Sequence, residues 1–175
     1  MQDIILLKQG EIVLKGLNKK YFEQKLLSNV KRRLHSLGEF DVSCTQSTIY
    51  IEPKSDAADM DAAEEAMTKV FGIAAVVRAA ACEKTPEAMA EKAIEYMADA
   101  MREAKSFKVE TRRADKAFPM TSIQVSQYVG GELAEAFPDT AVDVHDPELT
   151  VHVEVRERAA YIHRPPAPGV GGRWM

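Results

Sequence analysis

The segment Asn18–Gly38, NKKYFEQKLLSNVKRRLHSLG, decides how the first half of this chain folds. Its apolar residues fall at Phe22, Leu26, Leu27, Val30, Leu34 and Leu37. Recurrence every three or four positions marks a helix with one buried face, and predicts helix over residues 19–37. Asn18 stands at its N-cap position and Gly38 supplies the stop. Upstream, Ile4–Leu7 reads as a strand, followed by Gly10, a second apolar run Ile12–Leu14 and a turn at Lys15–Asn18. Downstream, residues 42–52 alternate, with β-branched Thr45, Thr48, Ile49 and Ile51, and predict a hairpin turning near Gln46–Ser47. An acidic helix over residues 56–70, a stop at Phe71-Gly72 and a strand over residues 73–77 complete this half.

Strand, helix, hairpin, helix, strand is the order of a split βαβ, ferredoxin-like unit. A second α+β unit follows the Ala-rich stretch Ala79–Ala81. Thr85-Pro86 places an N-cap before a proline at the first helical position, and helix is predicted to about Ala104. Residues 107–111 alternate as a strand that exits into Arg112-Arg113-Ala114-Asp115-Lys116. Thr121 or Ser122 caps a further helix ending near Phe137-Pro138, with strands predicted at 142–144, 149–155 and 160–163. The boundaries are residues 1–78 for the first domain and 79–165 for the second, with an irregular Pro- and Gly-rich tail over 166–175.

With 46% hydrophobic and 29% charged residues in 175 positions, the chain can bury a core of ordinary size. No apolar run approaches the roughly 20 residues of a membrane helix, and Met1–Lys8 lacks the basic start of a secretory signal. Cys44 and Cys82 have neither metal nor redox spacing, so a reduced, cytoplasmic protein is expected. The formal net charge of −4 hides opposed blocks. Residues 1–36 carry eight Lys/Arg against three Asp/Glu, residues 52–104 six against twelve, and residues 105–118 five against two. A phosphate backbone responds to a local patch, so the sum does not exclude nucleic acid.

Catalytic and metal patterns are missing from the sequence. His35, His145, His152 and His163 have no partner at ligand spacing, and surface or hydrogen-bonded histidines are expected. No glycine-rich phosphate loop lies between a strand and a helix, and no base stands near Cys82. The cluster Arg112, Arg113 and Lys116 is different, because a strand and a capped helix hold its two ends. Arginine's planar fork suits phosphate oxygens, and Asp115 is placed to brace one of the arginines. Lys15, Lys19 and Lys20, beside Asn18, sit at a helix start where the dipole opposes positive charge, which favours a ligand role. Lys31, Arg32 and Arg33 lie at the helix end, where charge of that sign is stabilising in itself.

Gly10-Glu11-Ile12-Val13-Leu14-Lys15-Gly16-Leu17-Asn18-Lys19-Lys20-Tyr21-Phe22-Glu23 resembles the opening signature of the tRNA 4-thiouridine synthetases. Phe107–Pro119, Gly130-Gly131 and Leu149–Val155 are similar to the THUMP domain of that tRNA sulfurtransferase (ThiI) family. The resemblance implies an N-terminal ferredoxin-like domain followed by a THUMP domain, together gripping the tRNA acceptor stem and 3′ end. It assigns RNA contact to Arg112, Arg113 and Lys116, and to Lys15, Asn18, Lys19 and Lys20. The family makes 4-thiouridine at tRNA position 8, supports thiamine thiazole synthesis, and carries its ATP site in a following pyrophosphatase domain. Here Gly169-Val170-Gly171-Gly172 leads only to Arg173-Trp174-Met175, so no catalytic residue and no cofactor is expected within these residues. A sulfur-donor protein is the further partner of the full-length context. The alternatives are a ferredoxin-like dimerisation or protein-interaction module, with a homodimer formed through exposed sheet edges, or the THUMP unit of another tRNA-modifying enzyme.

Overall fold

The computed structural model describes residues 3–10 and 18–169. They form two compact units, one of Asp3–Arg78 with the segment from Pro166, the other of Ala79–Pro165. The fold class is α+β in both.

In the first unit the order is β1 (Asp3–Gln9), α1 (Lys19–Leu34), β2 (Phe40–Thr45), β3 (Thr48–Pro53), α2 (Met60–Met67) and β4 (Ile73–Cys82), which runs on into the second unit. Its strands lie in the order β2-β3-β1-β4, with β2/β3 and β3/β1 antiparallel. This is the ferredoxin-like arrangement. Gln46 and Ser47 turn the hairpin with φ of 51° and 65°, the left-handed pair that matches the twist of two-residue hairpins. Ile5, Leu7, Ile49, Ile51 and Ile73 meet Leu26, Val30 and Leu34 of α1 and Ala63 and Met67 of α2 in one core.

The predicted helix over 19–37 is split, because its last turn tightens into a 3-10 turn at His35–Leu37. Gly38 ends it at φ 138°, where a Cβ would stand 2.7 Å from Ala58 Cα, so only glycine fits. Asn18 occupies the N-cap position without a side-chain bond. Its ψ of 47° departs from the extended conformation that aims a capping oxygen back at the first turn. The acidic helix is shorter than predicted, since Asp59 caps it by accepting from Ala62 N–H at 3.0 Å. Ile12–Leu14 lies outside the described residues.

The second unit contains α3 (Pro86–Tyr96), α4 (Ala98–Glu103), β5 (Ser106–Arg113), α5 (Ser122–Ala136), β6 (Ala141–Val142), β7 (Leu149–Val155) and β8 (Ala160–His163). Ala79–Cys82 of β4 pairs antiparallel with β8, β8 with β7 antiparallel, and β7 and β6 flank β5 in parallel. Phe107, Val151, Val153, Val155 and Ile162 pack against Met89, Ala93, Met97 and Met101, and against Val125, Val129 and Leu133. Thr85 accepts from Ala88 N–H at 3.1 Å above Pro86, as its sequence position predicts. The single helix predicted to Ala104 breaks at Met97, and Met97 and Met101 are both buried.

Two differences bear on the site or the boundary. The strand predicted to end at Thr111 continues to Arg113, because Arg112 and Arg113 pair in register with Glu154 and Val155. The tail expected to be irregular forms β9 (Ala167–Pro168), paired antiparallel with Val76 and Ala75, and Gly169 N–H donates to Ala74 O at 2.9 Å. A Cβ on Gly169 would lie 2.4 Å from Ile73 O, so glycine is what permits this approach.

Candidate nucleic-acid interface

A groove of about 520 Å³ opens on the helical side of β5. Its floor and walls are Phe107–Thr111 of β5, one face of α5 from Ser122 to Ala134, and Val142 and Val144. Ile123, Val142 and Val144 are 71%, 57% and 61% exposed, so this apolar surface is presented to solvent. An open apolar concavity of this size is the usual form of a ligand site. β6 pairs only with Ser106 and Phe107, which leaves the rest of that β5 edge without a strand partner among the described residues.

Gly130 and Gly131 sit in the middle of α5 and line the groove. A mid-helix glycine costs about 0.8–1.0 kcal/mol relative to alanine. The fold does not require it at either position. A Cβ on Gly130 would make an ordinary 3.7 Å contact with Val109, and one on Gly131 would meet nothing within 4 Å. The space they leave is groove. Sequence reasoning missed this site, although two adjacent glycines inside a helix-periodic run were its visible signal.

The three cations expected on the loop after β5 stand in different surroundings. Arg112, in β5, is exposed and has no side-chain partner among the described residues, and the same holds for Lys116 in the loop. Arg113 is half-buried, and its Nη1 donates to Phe118 O at 2.8 Å and Met120 O at 3.2 Å. Asp115 was expected to brace an arginine, but it accepts from Lys84 Nζ at 2.5 Å instead. That bond, together with Ala117 N–H on the other carboxylate oxygen, holds the Asp115 carboxyl below its ordinary range. Thr121 and Gln124 close a reciprocal capping box at the start of α5.

Asn18, Lys19 and Lys20 belong to the first unit. All three are exposed at the start of α1, and Lys19 and Lys20 line a cleft of about 380 Å³ with Glu23, Cys44 and Gln46. Lys15 lies outside the described residues. In this unit Cys44 has its thiol pushed up to about 11, first by burial and then by the charge of Glu23. Burial does the same to Cys82, also to about 11, so both are thiols at neutral pH. Among the described residues no group of three or more His, Cys, Asp or Glu could hold a metal ion.

Behind the second unit's sheet face lies a buried polar cluster. Glu154 Oε1 accepts from Arg156 Nε and Nη2 at 2.9 and 2.7 Å, and Oε2 meets His163 Nε2 at 2.6 Å. The other His163 nitrogen meets Arg164 O at 2.6 Å, so both ring nitrogens are engaged. His152 stacks on it, with centroids 4.9 Å apart and planes within 4°. Burial, followed by the charge of His163, lowers the His152 pKa, against the weaker opposite pull of Glu110 and Glu154. A histidine held neutral in the fold stabilises it fully above the unfolded value near 6.5. That contribution declines as pH falls through and below this value, because the unfolded chain then binds the extra proton. The melting temperature is therefore expected to drop on acidification from pH 7.5 to 5.5, and to drop less in His152→Gln. An identical pH dependence in the two proteins would exclude His152 as the source.

Two family models match the chain, the ThiI ferredoxin-like domain over residues 4–77 and the THUMP domain over residues 83–163. A probable tRNA sulfurtransferase of Acetivibrio thermocellus is 42% identical over 159 residues, covering 90% of this chain and 41% of that protein. One from Thermoanaerobacter pseudethanolicus is 38% identical over 172 residues, covering 98% and 44%. The chain thus spans less than half the length of these curated relatives. Among solved structures, PH1313 from Pyrococcus horikoshii superposes with a TM-score of 0.79 at 19% identity, covering 97% of this chain and 56% of its own. A 4-thiouridine synthetase–RNA complex with bound ATP superposes at 0.75 and 21% identity, covering 97% and 42%. At these identities the superpositions speak for the fold.

Proposed function

Because the chain belongs to the ThiI family, matching tRNA sulfurtransferases over 90–98% of its length, we propose that it binds tRNA by the acceptor stem and 3′ end. In this reading the THUMP unit makes the central contacts, and the chain presents tRNA to the 4-thiouridine chemistry of a longer protein. The observation that carries the reading is the open groove over Gly131, with the exposed Arg112 next in sequence to Thr111, the last β5 residue that lines it. Unpaired nucleotides have apolar π-faces that suit such a floor, and base stacking of this kind is tolerant of sequence. Arg112 and Lys116 supply charge for the adjoining phosphates, while the duplex is recognised by shape, phosphate and 2′-hydroxyl groups. Lys19, Lys20 and Asn18 offer a second phosphate contact from the first unit.

Phosphate contacts release counterions, so affinity falls steeply with salt. Removing two contacts with Arg112→Ala plus Lys116→Ala is expected to weaken binding of a tRNA acceptor minihelix. The slope of log K against log salt should also fall by roughly 0.7–0.9 per contact removed. Neither side chain holds structure together among the described residues, so the melting temperature should stay within a few degrees of the parent. A double variant with unchanged affinity and slope would remove this loop from the interface.

A further inference from the structure

We infer that Arg113 is a positioning residue: it works through the backbone of the Ala114–Met120 loop and sets where Lys116 stands, with no contact of its own to RNA. The inference rests on the tRNA-binding reading above. Arg113 is the last residue of β5, and its guanidinium turns back onto the loop, where one nitrogen serves the carbonyls of Phe118 and Met120. Those carbonyls flank Pro119, which has no N–H of its own to contribute to a turn. At the near end, Ala114 N–H and Asp115 N–H both donate to Val155 O, at 2.8 and 3.0 Å. Asp115 takes Ala117 N–H on Oδ1 and Lys84 Nζ on Oδ2, and Lys84 also donates to Glu157 O at 3.1 Å. Phe118 itself is buried against the core.

Lys116 is therefore flanked by two tethered residues, Asp115 and Ala117, on a loop whose far side is held by Arg113. Its own side chain remains exposed. Of the three cations in the cluster, two face outward for a ligand and the third organises the segment that carries one of them. Arg112 differs from Lys116 in this respect. It lies within β5, paired in register with Glu154, so its position does not depend on the loop.

That difference supplies the test, a double-mutant cycle in the full 175-residue chain, read by anisotropy of a labelled acceptor minihelix with an unpaired 3′ end. Arg113→Met keeps bulk and removes the donors. In the parent background Lys116→Ala is expected to lower affinity several-fold; in the Arg113→Met background the same change should cost less than about twofold. Arg112→Ala should keep its full effect in both backgrounds, which a general loss of structure would not allow. If Lys116→Ala costs as much without Arg113 as with it, the inference is overturned. Should Arg113→Met fail to fold, Lys84→Met removes the other tether, and the same cycle with Lys116 decides the matter. If Lys116→Ala has no effect even in the parent, the RNA reading of the loop fails, and positioning is then judged by amide exchange. Arg113→Met is expected to speed exchange at Ala117 and Phe118 by about tenfold or more, and unchanged exchange there would overturn the inference on its own.

Discussion

Glu154→Ala is expected to destabilise the second unit by about 3–5 kcal/mol, the range for removing one partner of a buried charge pair. Glu154, Arg156 and His163 are 5%, 5% and 2% exposed, so none can recover its hydration by a small movement. The carboxylate meets both Arg156 and His163, and its loss leaves the Arg156 guanidinium facing a cavity. Glu154→Gln keeps one acceptor oxygen and the side-chain volume, so it should cost less than alanine. Chemical denaturation followed by circular dichroism measures both. A loss below about 1 kcal/mol for Glu154→Ala would mean that water enters and hydrates Arg156 and His163, and the cluster would then be of little account for stability. The result also bears on the site, because Glu154 pairs in register with Arg112 across β7 and β5.

Filling the groove is expected to separate stability from binding. Gly131→Ala meets no atom within 4 Å, and should raise stability by up to about 1 kcal/mol through helix propensity. Gly131→Trp places an indole in the space proposed for an unpaired base, leaving the charges of Arg112 and Lys116 untouched. If one base stack is lost, binding of the acceptor minihelix should weaken by about 1–3 kcal/mol, or roughly 5- to 150-fold. The salt slope should hardly change, because no phosphate contact has been removed. Native affinity in a folded Gly131→Trp protein would show that the groove is not where the RNA end lies. Together with Arg112→Ala plus Lys116→Ala, this variant distinguishes apolar from ionic contributions.

Much of the fold was legible in the sequence because its signals are local. Helical spacing from Phe22 to Leu34, the Thr85-Pro86 start and the alternation of Leu149–Val155 each follow from the period of a single element. The errors arose where a distant strand decided the outcome. Nothing near Arg112 says that it continues a strand; Glu154 and Val155, over forty residues on, impose that by pairing. The tail failed to read as a strand for the same reason, since Ala75 and Val76 supply its partners. The cations were identified by type and spacing, but which of them is free depends on loop geometry. Arg113 and Arg112 are indistinguishable as letters, and only the carbonyls of Phe118 and Met120 separate them.

The pairing of Ala167–Pro168 with β4 has a consequence for how the chain can be divided. The first unit draws on both sides of the second in sequence, from Asp3–Arg78 and again from Pro166. No single cut of the polypeptide separates the two cleanly. A piece ending at Arg78 leaves an edge of Val76 and Ala75 without its closing strand, and the bonds that separate the second unit come as a pair, after Arg78 and after Pro165.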